Sequence, residues 1–133
     1  MNSNSKLKWS LFSLRLGVFI VMFLWTLDKF IRPEHAATVF EHFYYIRGMG
    51  HTVTIIIGIL ELILIVCFLF GIKKRFTYGM VLVFHGISTL SSYKQYLEPF
   101  EKSNLLFFAA LPMLAACMTL YLLRDEDTCF TIG

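Results

Sequence analysis

Four apolar stretches dominate the chain, at residues 9–31, 52–71, 76–97 and 104–123. A helix needs about 20 apolar residues to cross the hydrocarbon layer, so the pattern predicts four transmembrane helices. Alternating segments of about ten residues, the mark of a membrane β-barrel, are absent. Short connections favour antiparallel neighbours. The predicted fold is therefore an all-α, antiparallel four-helix bundle forming one domain over residues 1–133. The longest connection, residues 32–50, places Pro33 at a natural first-turn position. Ala36, Val39, Phe40, Phe43 and Tyr44 then recur at helical spacing, which predicts a short amphipathic helix on the bundle mouth. Arg47-Gly48-Met49-Gly50 reads as the break before the next helix, Ser103 as a cap for the last one, and Pro112 as a kink within it.

The polar exceptions to this pattern carry the chemistry. Glu61 stands in the middle of the second stretch, about 15 Å from either end at 1.5 Å per residue. A carboxylate facing lipid at that depth costs several kcal/mol, so Glu61 must be protonated, partnered or turned to a polar cavity. On the first stretch Arg15, Met22, Thr26 and Lys29 fall on one helical line; on the second, Thr54, Gly58 and Glu61 do. On the third, Tyr78, His85, Thr89, Ser92 and Tyr96 form the longest polar stripe. These faces are expected to turn inward, since lipid cannot satisfy them. Depth counting puts His85 level with Glu61, Arg15 lower, and Lys29, Lys94 and Tyr96 near the outer mouth.

Two readings of Glu61 stay open. In one it pairs with Arg15 or His85 and fixes helix packing. In the other Glu61 and His85 are a proton-handling catalytic pair, with Arg15, Lys29, Thr26, Tyr78, Thr89, Ser92 and Tyr96 lining a ligand cavity. Trp25, Phe84 and Tyr78 are candidates to flank a ring.

Composition agrees with a membrane protein: mean hydropathy is +0.68 and 57% of residues are hydrophobic. Lys6 and Lys8, then Lys73, Lys74 and Arg75, then Arg124 fall on one side of four spans. That side is expected to be the cytoplasm, with both termini on it. The net charge of +3 is thus topological, and no nucleic-acid motif accompanies it. The first stretch lacks a small-x-small site and is expected to be retained rather than cleaved. Cys67, Cys117 and Cys129 make no CxxC or metal-like spacing; Cys67 and Cys117 read as small core residues and Cys129 as a free thiol, with a redox pair as the minority alternative. His35, His42 and His51 read as interfacial residues; with no HxxxH or HExxH, no metal is assigned. Haem ligation by His85 and another histidine is a weaker alternative. Ser-His-Asp, P-loop and dinucleotide fingerprints are absent.

The chain resembles the DoxX/DoxD-like family of small four-helix membrane proteins over about residues 14–124. The resemblance lies in Leu14-Arg15-Leu16-Gly17, Asp28-Lys29-Phe30, Gly58-Ile59-Leu60-Glu61-Leu62, Gly71-Ile72-Lys73-Lys74-Arg75 and Asn104-Leu105-Leu106. Arg15, Lys29 and Glu61 fall on the family pattern. The resemblance implies a redox-associated protein of the bacterial inner membrane, a quinone-interacting or electron-transfer accessory subunit; the cofactor stays open, with quinone a candidate ligand ahead of haem. Its partners would be the bilayer and another protein or a second copy. Whether the chain is itself an enzyme stays open. The alternatives are a small proton-coupled transporter of a solute or metal, or a non-catalytic assembly subunit.

Overall fold

The computed structural model describes residues 2–44 and 51–132, and every regular element among them is helical. Helix α1 spans Ser3–Ile31, α2 Pro33–Tyr44, α3 His51–Leu69, α4 Lys74–Ser91, α5 Tyr93–Leu97 and α6 Ala110–Leu122, with a 3-10 segment at Asn104–Ala109 before α6. Three helical segments are long and apolar enough to cross a membrane: Ser3–Ile31, Thr52–Leu69 and Asn104–Leu122. The predicted third span falls outside that set. Its α4 portion has 18 residues, and the Lys, Arg, Tyr, His, Ser and Thr side chains along it lower its apolarity.

The boundaries move for local reasons. Helix α1 starts six residues before the apolar run, because Asn2 accepts the Ser5 N–H at 2.8 Å and caps it. Helix α2 begins at Pro33, as the sequence predicts. The α3–α4 turn contains Gly71 at φ +67° and Lys73 at φ +53°, both left-handed. The predicted single helix over 76–97 breaks at Ser92. There Thr89, Ser91 and Ser92 each bond back to the carbonyl four residues earlier, which bends a helix. Ser103 makes no side-chain cap. In its place the chain enters α6 through the 3-10 turn. Pro112 then falls in the first turn of α6, where its missing N–H costs little. The Arg47-Gly48-Met49-Gly50 break and Tyr45 lie outside the described residues, as do the side chains of Ala36, Phe40, Tyr44 and His51.

Helix α1 packs on α3 and α6, and α4 packs on α6 and α3, while the backbones of α1 and α4 stand apart. Leu11, Val18, Ile65, Phe68, Val81 and Leu120 form the shared core. Outside it, Ile31, Leu60, Leu90, Leu106 and Leu122 are exposed, a distribution compatible with a hydrocarbon surround. The fold is compatible with an integral membrane protein.

Candidate functional site

Gly58 lets α1 and α3 approach closely: a Cβ there would lie 3.0 Å from the Phe30 ring and 3.4 Å from Lys29 Cβ. Glu61 is the next polar residue along that face of α3. Lys29, buried in the last turn of α1, therefore reaches it, with Nζ 3.0 Å from Glu61 Oε2. Thr26 Oγ1 lies 3.3 Å from the same oxygen but 2.8 Å from the Met22 carbonyl. A hydroxyl has one proton, and the shorter contact takes it. Lys29 is thus the principal partner of Glu61.

This differs from both pairings expected for Glu61. His85 sits on α4 with Nε2 3.0 Å from the Ala110 carbonyl at the start of α6. Its ring stacks at 6.1 Å on Trp25 of α1. Its Nδ1 is buried and has no hydrogen-bond partner. The counterpart of Arg15 is Asp127, far along the chain: both are fully buried and the ion pair is 2.5 Å. Tyr78 Oη donates to the other Asp127 oxygen at 2.6 Å, and Lys74 Nζ donates to the Asp127 carbonyl at 2.5 Å. Arg15 also donates to the Cys129 carbonyl. The Ile132 N–H donates to the Phe70 carbonyl at 2.8 Å, and Phe130 packs on Phe12 and Trp9. The segment after α6 is thereby drawn into the core, where it links α1 to α4.

The nine predicted site residues therefore divide. Lys29, Glu61, His85, Thr89 and Ser92 line one open groove of about 2290 Å3 between the α1 and α4 faces, and Thr26 touches it through Glu61. Arg15 and Tyr78 belong to the Asp127 cluster, and the Tyr96 ring packs on Phe108. Apolar side chains make up most of the groove wall, and Trp25 and Phe84 both stand in it. A ligand with an apolar body and a small polar head fits such a wall: Lys29 can donate to it, Glu61 can accept from it, and the aromatic rings can cover it.

Sequence reasoning missed Asp127. The acids after the last span, Asp125, Glu126 and Asp127, carry little weight in setting orientation and so draw no attention there. The signal was present in Arg15, whose buried guanidinium needs a carboxylate at its own depth. On a four-span topology Asp125, Glu126 and Asp127 return to that side. The Ala110 carbonyl had no signal, since a backbone acceptor carries no residue identity. The described residues contain no group of three His, Cys, Asp or Glu placed to hold a metal, and all three cysteines are free. His35 instead lies 2.6 Å from Asp28.

No family model, curated protein or solved structure matches the chain.

Proposed function

We propose that the chain is an integral protein of the bacterial inner membrane that binds a quinone in the groove between α1 and α4 and serves a redox partner as an accessory subunit. In this reading α4 also crosses, bringing the spans to four, neighbouring spans run antiparallel, and both ends are cytoplasmic. The observation that carries it is the Lys29–Glu61 pair, set into the wall of an otherwise apolar groove. Charges in such a wall are expensive, which makes a ligand-facing role the leading explanation. The likeness of the Gly58-Ile59-Leu60-Glu61-Leu62 segment to DoxX/DoxD-like proteins points the same way. Lys29 would donate to a ring carbonyl, and Glu61 would relay protons. Reducing a quinone to a quinol takes two electrons and two protons. The electrons come from the partner, and the protons pass by Glu61.

The test is titration of purified protein in nanodiscs with decylubiquinone, read by quenching of Trp25 fluorescence in a Trp9→Phe background. Saturable quenching is expected. Glu61→Gln should weaken it about tenfold, equivalent to 1.4 kcal/mol. Quenching that does not saturate, or an affinity unmoved by Glu61→Gln, would sink the reading and favour a non-catalytic assembly subunit.

A further inference from the structure

We infer that His85 is a hydrogen-bond acceptor for the ligand head, so that the groove selects amphiphiles bearing a hydroxyl over those in which that hydroxyl is oxidised or capped. The inference rests on the groove being the ligand site. It adds which chemical form of ligand the site prefers and the atom that reads it.

The tautomer follows from the partner. His85 Nε2 lies 3.0 Å from the Ala110 carbonyl, which can only accept, so Nε2 carries the ring proton. A second proton would place an imidazolium with no bonded carboxylate in an apolar wall, at a cost well above that of a neutral ring. Nδ1 is then a bare lone pair. It is buried and has no partner in the fold, although the residue lines the groove. Buried polar atoms are almost always satisfied, and an orphan in a ligand-sized groove is the atom a ligand completes. Trp25 stacks on the imidazole at 6.1 Å and stands in the same groove wall, so a ligand head seated beside Trp25 lies next to the ring that carries Nδ1.

An acceptor fixed in this way discriminates asymmetrically. A phenolic or alcoholic O–H donates to Nδ1. A carbonyl oxygen or an ether oxygen meets lone pair with lone pair and leaves both atoms desolvated and unpaired. Lys29, a donor in the same groove wall, can donate to the oxygen of either form and so does not cancel the preference. In quinone terms the site holds the reduced form more tightly than the oxidised one.

Two probes isolate this without redox chemistry: 4-nonylphenol and its methyl ether, 4-nonylanisole. Binding to the protein in nanodiscs is followed by Trp25 fluorescence in the Trp9→Phe background. The phenol should bind at least about tenfold more tightly than the ether. His85→Phe should remove that ratio by weakening the phenol alone, whereas His85→Asn, which keeps an acceptor oxygen, should retain part of it. If His85→Phe fails to fold, the 15N resonance of Nδ1 in labelled wild-type protein provides the readout: it should move with the phenol and stay in place with the ether. Equal binding of the two probes by wild-type protein would overturn the inference. So would a preference that survives in His85→Phe, or an Nδ1 resonance that ignores the phenol. Saturable decylubiquinone binding without a phenol preference removes the acceptor role but leaves the groove as a ligand site. If neither probe nor decylubiquinone binds, both readings fall.

Discussion

Arg15 and Asp127 are fully buried on elements far apart in the chain, and each leaves the other uncompensated if removed. Asp127→Ala strands a guanidinium, together with the Tyr78 hydroxyl that donates to the same carboxylate. The expected loss is about 3 kcal/mol or more, seen as a lower Tm in detergent. Adding Arg15→Leu should recover part of it, because an apolar side chain asks for no partner. An unchanged Tm in Asp127→Ala would mean that the cluster is incidental. Single residues also show where sequence reading reaches its limit. Arg15, Lys29, Glu61 and His85 were all legible as inward-facing, since a charge or imidazole in an apolar run has few alternatives. Their pairing was not. Depth counting treats a side chain as a point at its Cα, and Lys29 has a long flexible stem that carries its ammonium down to Glu61.

At the level of elements, helix existence and type were legible from apolar runs, and helix ends were not. The break at Ser92 comes from hydroxyls bonding back to carbonyls, which competes with the helix without changing its hydropathy. The α3–α4 turn is likewise fixed by conformation. Gly71 adopts φ +67°, and a Cβ there would meet Thr131 Cγ2 at 2.7 Å. Gly71→Ala therefore combines left-handed strain with a clash, and should lower stability by about 1–2 kcal/mol in thermal melts. A melt indistinguishable from wild type would mean that the turn relaxes freely. The segment after α6 acts as a strap between α1 and α4, whose backbones do not otherwise meet. Spin labels at Gly17 and Met80, one on each wall of the groove, report its width. Deleting residues 125–133 should lengthen and broaden their distance distribution. An unchanged distribution would show that the strap does not set the groove.

For the molecule as a whole, the exposed apolar belt and three qualifying helices agree with life in a bilayer. The proposed fourth span makes a topological prediction. In a cysteine-free background, Glu101→Cys should react with an impermeant maleimide added outside intact cells, and Ser3→Cys only after permeabilisation. Labelling of both from outside would mean that α4 does not cross. The strap has a further consequence, concerning time. Arg15 and Asp127 are separated by 112 positions. At ribosomal speeds of about 5–20 residues per second, that gap lasts roughly 6–22 s. During this interval the first helix carries a guanidinium whose counter-charge has not been translated. Arg15 must reach water or lipid phosphate until the segment that carries Asp127 has been made. The protein is thus set to finish folding only after the segment that follows α6 has been synthesised.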